Sequence, residues 1–114
     1  MIFLNEKHKE LWTNEIQNII ENHHDLDVPM LILTGMPFLY PRLKPYIHPT
    51  YIDFHAILDE LRLSSGEVYM IELASTLYTG AHPVNLHDLL GRCDSEMRLL
   101  AEYAINAKID SLIH

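Results

Sequence analysis

The chain has one cysteine, four glycines, and only 8 Lys and Arg against 16 Asp and Glu across 114 residues. Each shortage excludes something. A single thiol, Cys93, cannot close an internal disulfide, and its expected state is a reduced cysteine in a cytoplasmic protein. Four glycines form neither a Gly-x-Gly-x-x-Gly nor a Gly-x-x-x-x-Gly-Lys phosphate cradle. A formal net charge of −8 opposes direct nucleic-acid binding, whose affinity comes largely from Lys and Arg neutralising phosphates. Apolar runs are short too. The longest, Met30-Leu31-Ile32-Leu33, breaks at Thr34-Gly35, far below the ~20 residues of a membrane span. The opening Met1-Ile2-Phe3-Leu4-Asn5 carries no basic region or signal-type apolar stretch. No segment alternates cleanly as a strand would, and no Asn-Gly or Asp-Gly hairpin turn occurs.

What remains reads as one helical domain, residues 1–114. Hydrophobic residues make up 48% and charged residues 21%, ordinary globular usage with enough apolar material for a core. The expected fold is all-α, a small bundle of about four to six helices. Asn5 caps a first helix over residues 6–21, with Leu11, Trp12, Ile16, Ile19 and Ile20 on one stripe. Asn22 to Asp27 is polar and reads as a loop. Pro29 suits the first position of a second helix, with Asp27 as its cap, and residues 30–36 are apolar on all sides. A short helix follows over 53–61. Ser64 and Glu67 have capping-box spacing ahead of a helix over 66–79, with Gly80 as its left-handed stop. Asn85 caps a turn of helix that Gly91 ends, and Asp94 caps a last helix through Ile109.

Between the second and third of these helices lies a long proline-rich connection at 37–52. Pro37, Pro41, Pro45 and Pro49 fall every fourth residue. Each removes a backbone donor and disfavours helix in the residue before it, so the expectation is turns and extended chain. The stretch 37–51 holds no acid at all. One reading is an exposed binding loop using Tyr40, Arg42, Lys44, Tyr46 and Tyr51, since prolines lower the entropy of ordering and tyrosines give large amphipathic contacts. The plainer reading, and the preferred one, is a connection wrapped over the core with Phe38, Leu39, Leu43 and Ile47 packed inward.

Two stretches carry a family resemblance. Phe3-Leu4-Asn5-Glu6-Lys7-His8-Lys9-Glu10 resembles the Phe-Leu-Asn-Glu-Glu-His-Lys-Glu start of a family of small proteins from Firmicutes, often in phage-derived regions. Leu73-Ala74-Ser75-Thr76-Leu77-Tyr78-Thr79-Gly80 is similar to that family's Leu-Ala-Phe-Asn-Leu-Tyr-Asn-Gly, with Ser75-Thr76 replacing the Phe-Asn pair. The resemblance covers about a fifth of the chain. It implies a bacterial or phage origin and a helical fold, and brings no activity with it.

Candidate chemistry centres on the eight histidines. His82 and His87 with Asp88, or the run His23-His24-Asp25, are the nearest approach to a divalent-metal ligand set. Yet His82 and His87 are five apart across Pro83 and lack the His-x-x-x-His geometry of helical zinc sites. Dispersed histidines are the default, and no cofactor is expected. Cys93 sits before a helix and between Arg92 and Asp94, a mixed influence on its thiol, and reads as structural. Asp59 and Glu60 read as a solvated face. The leading expectation is a non-enzymatic interaction or regulatory module with a protein partner or a second copy of itself, acting off the membrane. The alternatives are a small metal-dependent enzyme or metal-binding protein using His82 and His87, and an acidic inhibitor of a DNA-binding protein.

Overall fold

The first helix, α1 (Glu6–Ile16), starts where Asn5 Oδ1 accepts the His8 N–H at 2.8 Å, satisfying one of the amides that have no partner within the helix. It ends at Ile16, short of the expected 21. Gln17, Asn18 and Ile19 continue as turns, with Asn18 and Ile19 N–H bonded to the Glu15 and Ile16 carbonyls. The computed structural model describes residues 1–19 and 24–113, so positions 20 and 21 of that helix, and His23, lie outside the described residues. His24–Leu26 forms a 3₁₀ turn where a loop is expected, running straight into α2 (Asp27–Thr34). Asp27 is the first residue of α2 rather than its cap, and Pro29 the third. Proline fits there because the first-turn amides have no intrahelical acceptor.

The proline-rich connection is more helical than its prolines suggest. It contains α3 (Tyr40–Leu43) and a 3₁₀ turn at Lys44–Tyr46, with Pro41 and Pro45 each the second residue of their turn. There the missing donor costs nothing. The preference of Tyr40 and Lys44 for extended backbone is overridden by burial of Leu39, Tyr40 and Leu43. An isolated antiparallel bridge between Ile47 and Ile52 then closes a tight loop over Pro49 and Thr50. No strand occurs among the described residues.

Four more helices follow: α4 (Phe54–Glu60), α5 (Ser65–Tyr78), α6 (Leu86–Arg92) and α7 (Ser95–Ile113). Their starts follow the sequence closely. Asp53, Asn85 and Asp94 each accept an N–H from the first turn, and Ser64 with Glu67 forms the full capping box. Gly80 adopts φ +75°, and it and Thr79 both donate to the Ser75 carbonyl. Gly91 does not end α6; the helix passes through it to Arg92. α7 runs beyond Ile109, leaving Leu112 and Ile113 exposed.

The architecture is all-α. Residues Val28–Thr34 of α2 are all buried, and α1, α5 and α7 pack around this helix. An element apolar on every side must be enclosed, each large side chain gaining about 1.5–3 kcal/mol from burial. Where α2 stops, α7 crosses it closely. A Cβ on Gly35 would stand 2.6 Å from Leu100 Cδ2 and 2.7 Å from Leu100 Cδ1.

His8 clasps the N-terminal segment to α2. Its Nε2 lies 2.8 Å from the Leu31 carbonyl and its Nδ1 accepts the Leu4 N–H at 3.1 Å, with the Phe3 ring edge-on at 5.3 Å. An Nδ1 that accepts leaves the proton on Nε2, so the bonded ring is neutral. Burial holds the imidazole below its ordinary pKa of 6.5, against the raising effect of the Leu31 bond.

Two outcomes are expected in thermal or urea unfolding. Gly35→Ala should destabilise by about 1–3 kcal/mol through overpacking against Leu100, whereas Gly91→Ala, inside a helix with nothing within 4 Å of the new Cβ, should stabilise by about 0.4–1 kcal/mol. For His8 the folded pKa is depressed and the unfolded chain binds the extra proton. Its contribution is therefore complete above pH 6.5 and is lost as pH falls from there toward the folded pKa. His8→Leu, which strips the Leu4 N–H of its acceptor, should cost about 1–3 kcal/mol at pH 7.5 and flatten this dependence.

Candidate functional site

The proline segment does not present the five side chains as one surface. Tyr40 is 4% exposed and belongs to the core; burial, and then the Glu15 charge, push its phenol far above the ordinary pKa. It cannot serve an exposed contact, because the amphipathic turn that carries it buries its own apolar side. Lys44 Nζ pairs with Glu15 Oε1 at 3.1 Å. Arg42 Nη2 donates to the Arg62 carbonyl at 2.8 Å, tying α3 to the end of α4. Tyr46 is half-buried, its pKa raised by desolvation and by Glu60 beside it. Tyr51 turns outward, its ring stacked on His48 at 4.4 Å, and Arg42 and Lys44 are exposed as well, though each is held by the bond just described. The positive charges of the segment are thus engaged in bracing it.

The metal candidates are separated as well. His82 Nδ1 shares a 3.0 Å hydrogen bond with the buried Ser75 Oγ, and its ring stacks on His55 at 6.0 Å. The His82 carbonyl lies 3.1 Å from Thr76 Oγ1, which also accepts the Val84 N–H. His82 therefore pins the chain after Gly80 back onto α5. His87 is exposed on the first turn of α6, and the Asp88 backbone is taken by the Asn85 cap. His24 Nδ1 lies 3.8 Å from Asp27 Oδ2. Among the described residues, no three His, Cys, Asp or Glu side chains converge as metal ligands. Cys93 is buried, its Sγ 3.5 Å from the Gly66 carbonyl. Burial, and then Asp94, raise its thiol pKa against the opposing pull of Arg98, which suits a packing residue rather than a nucleophile.

The feature that stands out is a residue the preferred reading packs inward. Phe38 is 99% exposed. The turn that holds it is well defined: Leu39 and Tyr40 N–H both bond the Met36 carbonyl, at 3.1 and 2.9 Å. Met36 and Leu39 are buried, so the two residues between them, Pro37 and Phe38, face outward. Pro37 fixes its own φ and removes a donor that water would otherwise have to satisfy. A ring this exposed forgoes the ~1.5–3 kcal/mol that burial would contribute.

Phe38 borders a groove of about 220 Å³ between this turn and α7, floored by Gly35, Met36, Leu39, Met97 and Leu100. Its rim carries three carboxylates, Glu67, Asp94 and Glu96. A second hollow of about 190 Å³, walled by Leu4, His8, Leu11 and Thr34, shares Gly35, Pro37 and Glu96 with the first. The two lie side by side near the ends of α1, α2 and α7. Nothing in the run Met36-Pro37-Phe38-Leu39-Tyr40 marks which side chain turns out, because all five are apolar or aromatic. The one usable signal is Pro37, which makes the next residue follow a turn.

Compared with known proteins, the chain matches no protein-family model, no curated protein sequence and no solved structure.

Proposed function

We propose that this chain is a non-enzymatic protein–protein interaction module whose contact surface is the Phe38 groove, of bacterial or phage origin as the resemblance implies and cytoplasmic as its lone reduced cysteine suggests. The observation that carries the proposal is a fully exposed aromatic ring, held by a hydrogen-bonded turn, next to an apolar depression. Aromatic side chains standing beside well-packed pockets are where binding energy concentrates. Contiguous apolar surface on a small domain also marks interaction sites. The turn is preorganised by Met36 and Leu39, so little entropy is lost in presenting Phe38 to a partner. Two methionines, Met36 and Met97, line the groove with adaptable, polarisable side chains.

A photo-crosslinking residue at position 38 of the full chain, expressed in the cells that make it, tests this. One defined adduct at position 38, absent when the same residue replaces the exposed Asp59 on α4, is the expected result. Equal adducts at both positions, or none at 38, would overturn it. Phe38→Ala should leave the melting temperature within about 0.5 kcal/mol of wild type in stability terms, because the ring packs on nothing.

A further inference from the structure

The charge around the groove narrows the class of partner. Glu67, Asp94 and Glu96 stand at its rim, and among the described residues no Lys, Arg or His lines it; of these residues the adjoining hollow adds one lysine, Lys7, and the neutral, bonded His8. Two of these carboxylates are fixed in place by the fold. Glu67 Oε1 accepts the Ser64 N–H at 2.8 Å, and Asp94 Oδ1 accepts the Met97 N–H at 2.8 Å. The remaining oxygens, and all of Glu96, which is exposed, are free to meet cations.

Resting on the reading of the groove as a contact surface, we infer that its occupant is a cationic amphipathic segment of a partner protein: a large apolar side chain seated beside Phe38 with Lys or Arg on either side. Charge complementarity selects this occupant. A second copy would set three rim carboxylates against the same three, on chains that each carry a net charge of −8, and like charges brought together across an interface are costly. Phosphate-bearing polymers meet the same repulsion. A basic amphipathic helix meets none of it, and it gathers its large apolar side chains on one face. The two hollows share Gly35, Pro37 and Glu96 in their walls.

The probes are three synthetic helices with Leu at i, i+3, i+4 and i+7. The other positions are Lys in the first, Glu in the second and Gln in the third. Binding to the full-length protein is followed by calorimetry and by backbone amide shifts. The Lys helix should bind saturably, move the amides of Gly35, Phe38 and Met97, and weaken as salt is raised. Phe38→Ala and Glu96→Lys should each lower its affinity about tenfold. Asp59→Lys, the same change in net charge away from the groove, should leave it within about twofold. Preferential binding of the Gln or Glu helix at these amides would overturn the cationic assignment while leaving the groove as a contact surface. An equal loss from Asp59→Lys would overturn it as nonspecific attraction. No shift at Gly35, Phe38 or Met97 with any helix would overturn the groove reading itself. So would a Phe38-dependent dimer that excludes the peptides, seen by sedimentation.

Discussion

The contact of Leu100 with the backbone of Gly35 sets the geometry of the rest. With α2 apolar around its whole circumference, three helices must close over it, and α7 reaches the C-terminal end only because no Cβ stands there. At 2.6 Å from a Leu100 methyl, any larger residue must push α7 away or force Leu100 from its rotamer. This close crossing also determines how the chain leaves α2. It must turn at once, through Met36–Leu39, and the space between that turn and α7 becomes the groove. Core packing and candidate site are therefore one constraint seen from two sides.

Legibility in the sequence follows the range of the interaction. Helix starts could be read because a cap is a bond between residues three apart, as Asn5 with His8, Ser64 with Glu67 and Asp94 with Met97 all show. The left-handed stop at Gly80 is local in the same way. The proline segment was harder to read because Pro41 and Pro45 sit in first-turn positions, where their defect is harmless, and what pulls α3 into a helix is burial of Leu39, Tyr40 and Leu43 against distant elements. Gly91 misleads for the complementary reason: a glycine signals a stop only if the chain needs a positive φ there, and α6 does not.

The site was the least legible part. Tyr40, Lys44 and Arg42 looked like a basic aromatic surface, but their partners Glu15 and the Arg62 carbonyl come from far along the chain, and those pairings turn the cluster into a brace. Phe38 reads as core by composition and stands outside by geometry, since only the inward turns of Met36 and Leu39 decide which way it faces. The histidines divide similarly. Both ring nitrogens of His8 are taken by Leu4 and Leu31, and Nδ1 of His82 by Ser75, partners that hold loops to helices.

The acidic rim shows how a folding device can become a recognition device. Negative side chains are favoured at helix N-termini by the exposed amides and the macrodipole, each contributing about 0.3–1 kcal/mol. α5 and α7 both begin beside the groove, so their first turns bring Glu67, Asp94 and Glu96 to one opening. No partner is needed to account for the presence of Glu67 and Asp94. Glu96 stands in the first turn of α7 and is favoured there by the same dipole, but it is exposed and makes no capping bond. Changing it alters the groove's charge while leaving both caps intact. That separation between the two carboxylates that form caps and the one that does not is what makes the electrostatics of this surface open to measurement without unfolding the molecule.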